Sequence, residues 1–129
     1  MTLLQEDLTA GILKTFFDVY NELGYGFLEK VYQNALYLEL RSRAYDVEAQ
    51  KQIKVYYKGI MVGEYYADLV VNNIVILELK AVETILIDFE YQLLNYLKAS
   101  NIEVGLLLNF GKKPEFRRKV FENVNKQID

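Results

Sequence analysis

Ala67-Asp68-Leu69-Val70-Val71-Asn72-Asn73-Ile74-Val75-Ile76-Leu77-Glu78-Leu79-Lys80 is the stretch on which the fold turns. Two apolar runs flank Asn72-Asn73, a strong turn signal, so the segment reads as an antiparallel hairpin. A strand that is apolar at nearly every position is ordinarily buried on both faces of its sheet. Unpaired charges inside such a strand each cost several kcal/mol. Glu78 and Lys80 therefore belong either to a self-neutralising bridge or to a functional site. Being two apart, they project from one face.

Whether Asp68 joins them depends on loop length. A strict two-residue loop pairs Val71 with Ile74 and sets Asp68 opposite Leu77, which turns it to the wrong face. A three-residue loop or a bulge pairs Val71 with Val75 and sets Asp68 across from Glu78. The second register is the one expected, because two carboxylates and an ammonium then converge, with cross-strand Cβ atoms about 5 Å apart. Such a spacing suits a divalent cation held by two carboxylates and water. The residues by themselves fit a self-neutralising buried cluster equally well.

Outward from this hairpin the pattern is mixed. Residues 5–22 have helical spacing through Leu8, Ile12, Phe16, Val19 and Leu23, with Thr2 and Gln5 placed as a capping box. Gly24-Tyr25-Gly26 breaks that helix, and a second runs from Leu28 to Arg43. Ile53–Tyr57 and Ile60–Val71 read as strands joined by a Lys58-Gly59 turn, followed by Ile74–Lys80. Asp88–Ser100 returns to helical spacing, Val104–Leu108 is a short buried strand, and Pro114 opens a final basic helix. The predicted order is α-α-β-β-β-α-β-α, a mixed α/β fold in one domain spanning residues 1–129.

Composition narrows the chemistry. With no cysteine and no histidine among 129 residues, thiolate sites, His-based zinc sites and a Ser-His-Asp triad are all excluded. Catalysis must come from carboxylates, Lys, Tyr or a hard metal on oxygen ligands. The N-terminus lacks the features of a signal peptide, and no apolar run approaches the roughly 18 residues of a membrane span. A cytoplasmic protein without a membrane partner is expected. The net charge is −3, yet residues 112–129 carry six basic against three acidic side chains. That basic end is either a grip on a phosphate backbone or a solvated helix face. Eleven tyrosines and seven phenylalanines suggest exposed aromatics, and with them a homo-oligomer or a protein partner.

Several motifs together resemble a known family. Asp68, nine intervening residues and Glu78-Leu79-Lys80 resemble the D-x(n)-E-x-K signature of the PD-(D/E)XK nuclease superfamily. Gly26-Phe27-Leu28-Glu29-Lys30-Val31-Tyr32 is similar to the motif that names its GxxExxY branch, and Gln92-Leu93-Leu94-Asn95-Tyr96 to the Q-x-x-x-Y motif of exonuclease-like branches. The run Val104–Gly111 looks like the last core strand of that family. The resemblance covers roughly residues 20–112 and implies a restriction-endonuclease-like core.

It also implies roles. Asp68 and Glu78, helped by the Leu79 backbone carbonyl, would bind Mg²⁺ or Mn²⁺. Lys80 would orient the attacking water and offset charge in the transition state. Glu29 would be a third acid or metal ligand, though a first-turn carboxylate is also what the helix dipole favours. Gln92 and Tyr96, four apart on one helix face, would position the water or the scissile phosphate. Tyr32 is expected to pack rather than to meet substrate. Lys112, Lys113, Arg117 and Arg118 would hold the substrate backbone. The polymer would be nucleic acid, DNA first. The family pattern often carries a His shortly before the Gln. Here Ile87-Asp88-Phe89-Glu90-Tyr91 has none, with Asp88 and Glu90 as candidate substitutes. A catalytically inactive module that binds nucleic acid or protein is the alternative reading.

Overall fold

The structure, a computed structural model, describes residues 4–126. Helix α1 (Glu6–Leu23) and helix α2 (Glu29–Ser42) precede a long hairpin of β1 (Val47–Tyr57) and β2 (Ile60–Val71). Then come β3 (Val75–Lys80), helix α3 (Ile87–Ala99), β4 (Val104–Phe110) and β5 (Pro114–Val120). The strands form one sheet in the order β1-β2-β3-β4-β5, parallel only between β3 and β4. A parallel pair requires a crossover, and α3 supplies it.

The sheet is buried on both faces. On one side Leu69, Val71, Val75, Leu77, Leu79, Leu106 and Leu108 pack against Ile12, Phe16, Leu36 and Leu40 of α1 and α2. On the other, Val70, Ile76 and Leu107 pack against Leu93 and Leu97 of α3. The central strands are largely apolar because they meet helices on both sides. The approach of α3 is close: a Cβ on Gly105 would lie 2.7 Å from Leu93 Cδ1. Among the described residues no helix is long and apolar enough to cross a membrane.

The hairpin turns follow from backbone chemistry. Lys58 and Gly59 both have positive φ (50° and 77°), the two-residue turn whose twist matches antiparallel strands. Asn72 and Asn73 are also left-handed (53° and 56°), and the Ile74 amide closes the turn on the Val71 carbonyl at 2.9 Å. Asn tolerates this region better than most residues. Ile74 remains outside the ladder, so Val71 pairs with Val75. This is the three-residue register.

Three expectations fail. The segment after Pro114 is a strand, not a helix, so the observed order ends β4-β5. Its side chains alternate: Phe116 packs on Phe17 of α1 and Val120 joins the α1/α2 core, while Arg117 and Lys119 turn to α3. Pro114 opens this edge strand, a position where its missing N–H is tolerated. Strand β1 starts at Val47, six residues before Ile53, because exposed Glu48, Ala49 and Gln50 mask the extended pattern. The capping box also fails. Gln5 is itself the N-cap of α1, left-handed at φ 54° and without a side-chain cap, and Thr2 lies outside the described residues.

Candidate active site

The β2–β3 ladder runs from Val71/Val75 to Leu69/Leu77, and beyond it side chains take over the backbone bonds. The Asp68 amide donates to Glu78 Oε1 at 3.3 Å, and the Leu79 amide donates to Asp68 Oδ2 at 2.9 Å. The two strands thus part at Asp68, with the two acids in the gap. Opposite them on β1, Gln50 is left-handed (φ 55°) and interrupts the ladder between Ala49/Leu69 and Lys51/Ala67. The gap lies near the carboxyl end of β3 in an α/β sheet, the usual place for a ligand crevice.

Electrostatics mark the pair. Glu78 is only 8% exposed, and burial, followed by the charge of Asp68, pushes its carboxyl up to about 9. A buried carboxylate beside a half-buried one is costly to charge without a cation between them. Lys80 projects from the same face as Glu78, its Nζ 4.4 Å from the Phe89 ring centre on α3. Glu29, in the exposed first turn of α2, feels the charges of both Lys80 and Asp68. Loss of water around it, the larger effect, raises its carboxyl.

Glu29 is placed by a buried ring. Tyr32 lies flat on Phe110, with centres 4.3 Å apart, and its hydroxyl donates to the Gly24 carbonyl at 2.7 Å. The same oxygen accepts the Phe27 amide at 3.2 Å, so Tyr32 pins the loop that starts α2. Its role is packing, as its sequence position suggests. Gln92 and Tyr96 share one face of α3, close to each other, and Glu78 acts on Tyr96. Burial, ahead of that acidic charge, pushes the Tyr96 hydroxyl up to about 12.

The basic residues are dispersed. Lys112 and Lys113 are exposed in the β4–β5 turn, and Lys112 pairs with Glu83 at 3.4 Å. Arg117 and Lys119 reach Glu90 of α3 at 3.9 and 2.6 Å, which occupies Glu90 structurally. Arg118 lies on the opposite face of β5, bonded to the Leu4 carbonyl, and is not brought to the site. Asp88 is exposed in the first turn of α3.

Two contributors escape a reading of the sequence. Asn109, fully buried in β4 and paired with Lys80, holds both polar groups of the Val82 backbone at 3.0 and 2.9 Å. It anchors the chain just past Lys80. A single amide in an otherwise apolar run is the signal that would have found it. Tyr65 stacks on Tyr96 with ring centres 3.5 Å apart, and its buried hydroxyl has no partner among the described residues. Burial raises that hydroxyl, and the charge of Glu78 adds to the effect.

Among the described residues no three His, Cys, Asp or Glu side chains come together as a ready metal cage. The donor set is smaller, Asp68 and Glu78 with the Leu79 carbonyl next to them. It still fits a hard divalent ion, because such ions take oxygen donors and keep several waters. A cation there would offset the cost that burial and the neighbouring Asp68 place on the Glu78 charge.

Comparison with known proteins bears on the family and the fold. A family model described as the PD-(D/E)XK nuclease superfamily matches residues 6–119. A search of the curated proteins returned no match. Among solved structures the chain is similar to the crystal structure of SSO0001, with a TM-score of 0.57 and 17% identity over 72% of this chain. The chain spans about half of that one, 50% of its length, and at this identity the likeness concerns the fold.

Proposed function

The chain belongs to the PD-(D/E)XK nuclease superfamily, and on that premise we propose that it hydrolyses phosphodiester bonds in DNA with Mg²⁺ or Mn²⁺ held by Asp68 and Glu78. The observation that supports this most is the meeting of the two carboxylates where β2 and β3 part. A divalent ion there would supply Lewis-acid stabilisation of the charged phosphate and a more acidic water. Water oxygen attacks phosphorus, the bond to the leaving sugar oxygen breaks, and one proton passes from water to that oxygen. Lys80, on the same face as Glu78, offsets charge on the non-bridging oxygens and orients the water. Glu29, in the first turn of α2, would serve as a third acid or metal ligand. Gln92 and Tyr96 position the phosphate, with Lys112 and Lys113 at the same end of the sheet for the backbone. The finer placement in the GxxExxY branch rests on Gly26, Glu29 and Tyr32.

Each acid also satisfies a backbone amide of the opposite strand, which favours a second reading. In it the pair is structural and the domain binds nucleic acid or a protein without cutting. Cleavage of single- and double-stranded DNA and RNA with Mg²⁺, Mn²⁺ or EDTA separates the two. Metal-dependent cleavage abolished in Asp68→Ala and Glu78→Ala is the expected result. Cleavage that survives both substitutions overturns the assignment. Calorimetry adds a second readout, since an inert descendant shows no Mn²⁺ binding that depends on these acids.

A further inference from the structure

A cavity of about 580 Å³ lies between the β1–β2 hairpin, α3 and the residues after β5. That volume is in the range of small-molecule and cofactor sites. Tyr56 and Val55 form one wall, and the stacked Tyr65 and Tyr96 another. Phe121 lines a third side with Lys98 over its ring at 5.3 Å, and Asn95 and Asn125 bring amides. Aromatic faces with amides and a cation are the chemistry that recognises a nucleobase and the phosphate beside it.

Two features link this cavity to the acidic pair. Tyr65 and Tyr96 wall it, and both feel the charge of Glu78. The Tyr65 hydroxyl, sealed in that shared wall, has no partner among the described residues. A purely apolar protein segment would cover both amides without satisfying them, which is costly. A base inside a duplex offers only its edge, whereas this cavity offers faces to stack on.

We propose that the cavity takes an unpaired nucleobase of the strand being cut, stacked among Tyr56, Tyr96 and Phe121 with Asn95 reading its edge. The proposal rests on the nuclease reading and adds a substrate class, single-stranded or frayed nucleic acid. Tyr96 is the wall shared with the candidate site, so a base held there would direct a neighbouring phosphate toward the acids.

Fluorescence polarisation in EDTA, where nothing is cut, tests it with short labelled DNA and RNA single strands, a matched duplex and an abasic strand of equal length. A single strand carrying bases should bind about tenfold tighter than either the duplex or the abasic strand. Tyr56→Ala and Asn95→Ala, both at exposed positions that leave the core intact, should each remove several-fold of that advantage and spare abasic binding. Equal affinity for strands with and without bases, or no effect of either substitution, overturns the proposal and leaves the cavity to a protein segment. Asp68-dependent cleavage of duplex without single-strand preference would retain the nuclease and discard the pocket. Base-dependent binding without any cleavage would do the reverse.

Discussion

Asp68 and Glu78 face each other across β2 and β3, and each takes its place in the gap through the other strand's backbone. Glu78 accepts the amide of Asp68 itself, whereas Asp68 accepts the amide that follows Glu78. The cross-strand exchange holds both carboxylates without a third side chain. It also makes the acids expensive, since the core around Glu78 opposes its charge.

Glu78→Gln should therefore stabilise the metal-free protein. Its folded carboxyl sits at about 9 against an unfolded value of 4.5. Between those values the folded state keeps a proton that the unfolded chain has released, so stability falls as pH rises through that window. The amide of Gln keeps the acceptor for Asp68 and has no proton to lose. Urea unfolding in EDTA at pH 8 should show a gain of about 1–2 kcal/mol, the usual scale for relieving functional-site strain. The gain should shrink toward pH 5. Added Mn²⁺ should raise wild-type stability and leave the variant unchanged.

Tyr32→Phe removes one hydroxyl that holds two backbone groups, the Gly24 carbonyl and the Phe27 amide. The ring still fills its place on Phe110, so the loss is polar, about 1–3 kcal/mol. Hydrogen exchange should accelerate over residues 24–28 while the sheet stays protected. If metal binding weakens as well, Glu29 depends on this anchor.

Asn109→Ala leaves the Val82 amide and carbonyl without their partner inside a close-packed corner. A destabilisation of about 2–4 kcal/mol is expected from the unpaired groups together with the lost volume. Chemical denaturation reads it directly. A shift in the Lys80 side-chain resonances would show that Asn109 also positions the ammonium.

Gly105→Ala drives a methyl into Leu93, whose Cδ1 would stand 2.7 Å away. The cost should be about 1–3 kcal/mol by overpacking. Shortening the opposing side chain relieves it, so Gly105→Ala with Leu93→Ala should lose less than the sum of the single variants. The double-mutant cycle on thermal unfolding measures that coupling.

The hairpin register is legible in the sequence because Asp68, Glu78 and Lys80 are meaningless on opposite faces and the Asn72-Asn73 pair marks the bend. The first two helices, β2 and α3 follow from periodicity to within one residue at each end. Strand β5 is not legible in the same way. Its charges look like a helix's wet face, and only the distant Glu90 explains why Arg117 and Lys119 alternate with Phe116 and Val120. Strand β1 hides for a similar reason, since its first half is polar and takes its register from β2. Asn109 and Tyr65 matter through partners far along the chain, Val82 and Tyr96, and of the two only Asn109 leaves a local mark, as a lone amide in an apolar run.

The link from Asn72 to Ile74 tolerates a lost residue, because a two-residue bend would still set Val71 opposite Val75. Losing the Val75 codon instead, with that link intact, would set Val71 against Ile76 and rotate β3 half a turn about its long axis. Both sides of that strand are oily, so the swapped arrangement would still collapse, with Leu77 and Leu79 facing α3 where the acid and the ammonium had been. Such a frame-preserving deletion would yield a folded product with its carboxylate aimed into the α1/α2 layer, a lesion that point substitutions in the bend would not reproduce.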